Sequence, residues 1–389
     1  MNRRQILGSM AASGLCWQKA AFAQTGQGRG AAATSREDFA GVVPRRLVFP
    51  KDHGAHPAFR TEWWYLTAWM QASTDGVADG RNGLDYEGFG LQLTFFRRRT
   101  GLGESNPSRF APRQLLLAHA AVSLPANGLY RHDERAGRVG VADVRYSENT
   151  TDLGLNGWTF KRLASGQYLA EFTLRTRSKL TLGLYPRQPP TLRGVNGLSQ
   201  KGPGRDYASY YYSHTHMRVE LEAPTNEPDL PLPARSQGLG WFDHEWSSSI
   251  LPPGAVGWDW IGIHLLNGGS LMAFQLRSRE RQALWTEFDE RDAQGNRTSR
   301  SSSTKVQWQP IGQWRSPNSL AVYPRGWILQ FEGERRRLEI RPVMPNQEFD
   351  GRSSTGIVYW EGAVELYESG QRIGRGYLEM TGYAQAMQL

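Results

Sequence analysis

The sequence predicts an all-β protein made of two up-and-down barrels. Three observations lead there. Short runs of aromatic and β-branched residues recur along the chain, broken by Gly, Pro, Asn and Asp. No long segment keeps an apolar period of 3.6 residues between helix caps. Each half of the 389-residue chain holds enough such runs for a barrel of about eight strands.

In chain order the expected strands cover 59–70, 89–96, 115–124, 137–146, 167–174, 179–184 and 217–221. The second half adds 258–266, 271–276, 326–331, 337–340, 356–366 and 376–383. Alternation is plain around Val219, where Met217, Val219 and Leu221 interleave with Arg218, Glu220 and Glu222. Two Pro-bearing stretches interrupt the pattern, at 223–235 and 250–254. The second separates two aromatic-rich motifs and sets the expected boundary between an N-terminal domain, 44–248, and a C-terminal domain, 249–389.

Before the first strand, the chain starts Met1-Asn2-Arg3-Arg4-Gln5-Ile6-Leu7 and reaches Ala21-Phe22-Ala23. A charged tip, a weakly apolar run to Trp17 and a small-x-small site are the parts of an export signal. The paired arginines, the Gly-bearing run and Lys19 point to the twin-arginine route over the general secretory one. Residues 1–23 are the expected signal peptide and 24–43, rich in Gly, Ala and Ser, a flexible lead-in. The expected location is the periplasm.

The only cysteine, Cys16, falls inside that signal. Ser13-Gly14-Leu15 before it is a poor lipidation sequence. Without Cys16 the chain can form no disulfide, thiolate metal site or Cys nucleophile. The formal charge is +9, carried by forty Arg and six Lys against 37 acids. Such a surface suits peripheral contact with anionic lipid. No basic run has the density of a nucleic-acid-binding arm.

The distinctive segments are Asp52-His53-Gly54-Ala55-His56 with Thr61-Glu62-Trp63-Trp64-Tyr65, Ala118-His119-Ala120, Tyr210-Tyr211-Tyr212-Ser213-His214-Thr215-His216 and Gly240-Trp241-Phe242-Asp243-His244-Glu245-Trp246. The second half adds Gly257-Trp258-Asp259-Trp260, Tyr323-Pro324-Arg325-Gly326-Trp327, Tyr359-Trp360-Glu361-Gly362 and Gly376-Tyr377-Leu378-Glu379-Met380. In this order the motifs resemble the AttH-like family, which is similar to carotenoid 1,2-hydratase. The resemblance runs from about residue 47 to 383. It implies two packed lipocalin-like barrels and relatives that add water to an isoprenoid double bond without a cofactor. Distant members fold a polyene for ring closure.

The residues carry this chemistry on their own terms. Hydrating a substituted alkene requires an acid that protonates carbon and aromatic faces that stabilise the cation. Asp243 stands among Trp241, Phe242 and Trp246. It is the expected proton donor, with Glu245 or Asp259 assisting and Trp241 facing the cation. On a strand Asp259 points away from both Trp258 and Trp260. The competing reading makes these carboxylates buried hydrogen-bond hubs. The expected ligand-binding set is Glu62, Trp63, Trp64, Tyr65, Tyr211, Trp241, Trp246, Trp258 and Trp260, with Glu62 also read as a structural partner of Arg60 or another Arg. The ligand is a hydrophobic isoprenoid or acyl chain, held inside a barrel or between the two.

No metal or cofactor is expected. His53, His56, His214, His216, His119 and His244 offer donors, but at no established zinc spacing. Gly101-Leu102-Gly103-Glu104 lacks the context of a phosphate loop, and Ser123 and Ser213 that of a nucleophile elbow. A metal-dependent hydrolase, built on the histidines and a carboxylate, is the least favoured reading, and two functions stand ahead of it. One is a hydro-lyase acting on an isoprenoid double bond. The other is a non-catalytic lipid carrier or accessory to an envelope transporter.

Overall fold

In the computed structural model the described residues are 39–72, 88–102, 104–108, 110–175, 179–204, 206–224, 227–298 and 305–387. The expected signal, and the lead-in up to residue 38, lie outside them. Strand formation begins at Thr61, where β-branched and aromatic residues suit a pleated surface. The first sheet collects β1 (Thr61–Ala72), β2 (Phe89–Arg99), β3 (Gln114–Leu124), β4 (Leu129–Arg138), β5 (Asp152–Leu155), β6 (Trp158–Arg162), β7 (Tyr168–Phe172), β8 (Leu180–Pro186), β9 (Thr191–Leu192), β10 (Leu198–Gln200), β11 (Ala208–Glu222) and β12 (Arg235–Ser249). Its order is β4-β3-β2-β1-β12-β11-β8-β7-β6-β5, with β9 and β10 on the side of β11. The terminal strands β4 and β5 approach one another, so the sheet curls into a nearly closed barrel.

The chain leaves this sheet over 250–254, where Pro252 and Pro253 have no N–H to donate to a ladder. The remaining strands are β13 (Ala255–Leu265), β14 (Ser270–Ser278), β15 (Ala283–Arg291), β16 (Val306–Pro310), β17 (Trp314–Arg315), β18 (Val322–Tyr323), β19 (Trp327–Phe331), β20 (Arg337–Pro342), β21 (Glu348–Gly351), β22 (Ile357–Glu368) and β23 (Gln371–Met380). They form a second nearly closed barrel in the order β15-β14-β13-β23-β22-β20-β19-β16, with β21 on β22. β17 and β18 pair separately.

Three sequence expectations are corrected. The run 137–146 is not one strand, because β4 stops at Arg138 and Gly140 and Ala142 take positive φ in the turns that follow. β11 starts at Ala208, nine residues before its alternating part, and β12 absorbs the whole Trp241–Trp246 motif. Strands β5, β6, β15 and β16 went unread, since each is short or has few apolar residues set among polar or charged ones.

The two faces of β1 serve different compartments. Trp64, Leu66, Ala68 and Met70 enter the core of the first barrel. With Phe95, Trp158, Phe160, Tyr168, Tyr212, Phe242 and Trp246 they fill its interior. Tyr65 and Trp69 point outward and meet Trp241, Trp260, Met272, Phe274 and Tyr377 at the seam between the barrels. The second core is built separately around Ile261, Ile263, Leu329, Trp360 and Leu378.

Gly90 shows how closely the barrels meet. A Cβ there would lie 2.4 Å from the Tyr377 hydroxyl and 2.8 Å from the Ala363 Cβ. We expect Gly90→Ala to destabilise the protein by about 1–3 kcal/mol, the usual cost of overpacking. Chemical denaturation monitored by Trp fluorescence tests this; an unchanged midpoint would show that the seam can yield.

Candidate active site

A cavity of about 450 Å3 lies in the seam, bounded by residues of both barrels. Its apolar wall includes Trp63, Tyr65, Phe96, Trp258, Trp260 and Phe274. Strand alternation puts them there: Trp63 and Tyr65 share the outward face of β1, and Trp258 and Trp260 one face of β13. Asp243 and Glu245, on the outward face of β12, bring carboxyl groups to the same space. Glu361 and Glu379 bring two more from β22 and β23, where they are direct cross-strand partners.

Each acid has its own environment. Asp243 accepts hydrogen bonds from Tyr211 Oη (2.8 Å), Trp241 Nε1 (2.8 Å) and the Ser213 hydroxyl. Burial pushes its pKa up to about 6, although Arg193 and the three donors favour the charged form. Glu245 accepts from the Ser209 hydroxyl and pairs with Lys201 Nζ at 3.0 Å. That ammonium lies 4.7 Å from the centre of the Tyr211 ring and 4.9 Å from that of Phe274.

Glu361 accepts from Gln92 Nε2 of the other barrel (2.8 Å). Burial first, and the facing Glu379 second, raise its pKa well above the ordinary value, against the weaker opposing influence of the nearby Tyr65 and Tyr359 hydroxyls. Glu379 accepts from Trp258 Nε1 (2.9 Å), and burial with the negative charges of Glu245, Asp243 and Asp259 pushes it up to about 7. Two carboxylates this close in an apolar space do not both ionise readily. Both shifts favour the neutral form of the acid.

The structure brings Asp243, Glu245, Trp63, Tyr65, Tyr211, Trp258 and Trp260 to the cavity. Trp241 stands behind it as the donor to Asp243. Asp259 is not brought there: it lies on the opposite face of β13, ion-paired with Arg277 (2.6 Å) and bonded to Gln275 and Tyr383. Trp64 and Trp246 also leave the expected set, since the pleat buries them inside the first barrel. Glu361, Glu379, Lys201 and Tyr359 were missed as site residues. The signal for the first was an acid two residues after Tyr359 in an aromatic strand motif, and for the second an acid two residues after Tyr377.

Glu62 borders the cavity, but its carboxylate turns into the barrel. It accepts from Arg97 Nε (2.8 Å), His56 Nδ1 (2.8 Å) and His244 Nε2 (2.8 Å). The expected Arg partner is therefore Arg97 and not Arg60. Burial alone would raise the Glu62 pKa, yet His56 and Arg97 hold it well below the ordinary range. His56 also reaches Asp52 (3.0 Å) and stacks on Trp246 at 3.7 Å, while His244 bonds the Tyr212 hydroxyl (3.1 Å). His56, Glu62 and His244 offer ligand atoms within 4.8 Å of one another, the geometry of a small metal site. Each of those atoms is already hydrogen bonded, and Arg97 shares the carboxylate, so the cluster as built is an ion-paired clasp.

The profile of the AttH-like family matches residues 41–383. The chain belongs to the AttH-like family. An AttH homologue from Nitrosomonas europaea shares 40% identity over 89% of this chain and 100% of its own, with a TM-score of 0.75. Kievitone hydratase from Nectria haematococca has the same fold at 12% identity, over 90% of this chain and 98% of its own, with a TM-score of 0.62. No protein of curated function matches the chain. The lipocalin-like two-barrel architecture expected of AttH-like proteins is thus present here.

Two predictions follow from the charges. Glu62→Gln leaves Arg97 buried and uncompensated, and we expect a loss of about 3–5 kcal/mol by denaturant titration; a loss below about 1 kcal/mol would sink the clasp reading. Glu361 holds its proton in the native state where the unfolded chain, with the ordinary value of 4.5, has released it. This group therefore costs no stability below pH 4.5 and progressively more above it. Glu361→Gln should gain stability relative to wild type as pH rises from 4 to 8, in melts run at each pH. A constant difference across that range would show that Glu361 ionises normally.

Proposed function

We propose that the seam binds a hydrophobic isoprenoid or acyl chain and protonates a carbon–carbon double bond, so that water adds to the resulting cation. The carrying observation is the acid pair: Glu361 and Glu379 face each other, both pushed toward the neutral form, in an aromatic-walled cavity that also holds Asp243. A neutral carboxylic acid is the group that can give a proton to carbon at neutral pH. The faces of Trp63, Trp258 and Trp260 suit the cation that follows.

Asp243 was the donor expected from sequence. Three hydrogen-bond donors favour its charged form, so we assign it the complementary role of accepting the proton from the attacking water, assisted by Tyr211. We assign the donor role to Glu361, coupled to Glu379. The reaction needs no cofactor: the proton Glu361 gives to carbon is matched by the one Asp243 takes from water, and a proton passing from Asp243 to Glu361 through solvent closes the cycle. The likeness to an enzyme named as a hydratase supports the fold side of this reading. Export to the periplasm belongs to the same proposal and is supported by Arg3-Arg4 and Ala21-Phe22-Ala23.

The cavity wall also suits a second reading, in which an apolar ligand is carried without chemistry. One experiment separates the two. Mature protein is incubated with an acyclic carotenoid in detergent and 18O-labelled water, and the extract is analysed by mass spectrometry. The hydratase reading expects a labelled alcohol. It expects turnover lower by about 10²–10⁴-fold in Glu361→Gln, with binding, read by Trp quenching, retained. Tight binding with only unlabelled carotenoid recovered would favour the carrier. Full turnover in Glu361→Gln would remove that residue from the mechanism, and full turnover in Asp243→Asn would remove Asp243.

A further inference from the structure

The cavity has a direction. Along its first-barrel wall, Leu117, Phe96, Trp63, Glu245 and Tyr211 are successive cross-strand partners on β3, β2, β1, β12 and β11. Cross-strand partners share a face, so these side chains form one row across the space. Along the opposite wall Glu361, Glu379, Trp260 and Phe274 make a second row on β22, β23, β13 and β14. The two rows run in the same sense. At one end His119 lies two residues from Leu117 and Tyr359 two residues before Glu361, and His119 Nδ1 meets the Tyr359 hydroxyl at 2.8 Å. At the other end Lys201 lies between Tyr211 and Phe274, its ammonium 4.7 and 4.9 Å from the two ring centres.

The ends differ in chemistry. Leu115, Leu117 and Ile357 make the first end apolar, with Ser354 of the turn joining β21 to β22 beside them. The second end carries a cation. Lys201 follows β10, is 3% exposed and borders the cavity. Its backbone N–H donates to the Tyr207 carbonyl, which fixes where the side chain starts. Its ammonium meets Glu245 Oε1 at 3.0 Å, an oxygen that also takes the Ser209 hydroxyl, and Glu287 lies within its field. An ammonium has three protons to donate, and among the described residues Glu245 is its only ion-pair partner. A buried pair of this kind is worth little more to stability than an apolar replacement, so the fold alone does not call for it.

We propose that Lys201 donates to an uncharged carbonyl oxygen at one end of the ligand, so that the seam takes a carbonyl-ended isoprenoid or acyl chain rather than a plain hydrocarbon. The inference rests on the cavity being the ligand site, as in the preceding reading, and not on the chemistry assigned to Glu361. Glu245 already balances the ammonium and Asp243 stands beside it on β12, so a neutral oxygen suits this end better than a second anion. The faces of Tyr211 and Phe274 hold the ammonium in place. Neighbouring strands stand about 4.8 Å apart, which puts Glu361 about 14 Å along its row from Phe274. A chain anchored at Lys201 therefore runs past Trp63 and Trp260 and brings its remote part, not its carbonyl end, to the acid pair.

The test reads binding alone. Trp quenching measures the affinity of the mature protein for methyl farnesoate, for sodium farnesoate and for the hydrocarbon farnesene. We expect Lys201→Met to weaken binding of the ester by about ten-fold or more, the loss of a hydrogen bond from a charged donor, while farnesene changes by less than about two-fold. Lys201→Met leaves Glu245 without its cation, so the same comparison is made in the double variant with Glu245→Gln, where the selective loss of the ester should persist. In wild type the carboxylate should bind more weakly than the ester. Equal losses for ester and hydrocarbon, or no loss for either, would overturn the anchor and leave the hydration reading standing. A carboxylate bound more tightly than the ester would overturn the uncharged class. A wild type that binds none of the three would overturn both readings. No turnover is needed, so a lack of hydration bears only on the preceding reading.

Discussion

A carboxyl group taken out of water must either be met by a cation or keep its proton, and both solutions appear within this molecule. Glu62 is met by Arg97, Asp259 by Arg277, and Asp289 by Arg193 at 2.6 Å across the seam. These pairs stand where strands must be tied together. Glu361 and Glu379 face each other instead of a cation, and burial pushes both toward the protonated form. The placement of arginines thus divides the buried acids into those that hold the fold and those left with a proton to give.

The division depends on the pleat of a few strands. Along β1 and β12 the even positions build the first barrel and the odd ones the seam, while along β13 the even positions face the seam and the odd ones build the second barrel. Because the first barrel is packed with aromatic side chains, the open space lies at the junction and not in the lumen. Gly90, Gln92 and His119 bring the two barrels within contact distance around that space.

Much of this was legible before the structure. The strand class, the two-barrel plan and the pairing of Asp243 with Glu245 on one face follow from period-two alternation, which is a local property. That Asp259 points away from its tryptophans was legible for the same reason; its removal from the cavity was not, because alternation gives opposite faces without saying what covers them. Trp64 and Trp246 illustrate the same limit. Glu361 and Glu379 are eighteen residues apart in sequence and meet only through the register of β22 with β23, and Lys201 reaches Glu245 from a short segment with no strand pattern. Long-range pairing, not residue type, was the missing information.

The strand β1 is therefore a party wall between two rooms with opposite requirements. Glu62 and Trp64 furnish the dry side, where any loosening loses packing; Trp63 and Tyr65 furnish the side where a guest must fit. A single-residue insertion or deletion within it would exchange the rooms, sending the ion pair into the cavity and the cavity wall into the core. Variation along this strand is consequently confined to substitution in place. Changes in the shape of the cavity come more readily from β14 and β22, or from the turn that carries Ser354, where one face can alter without unmaking a barrel.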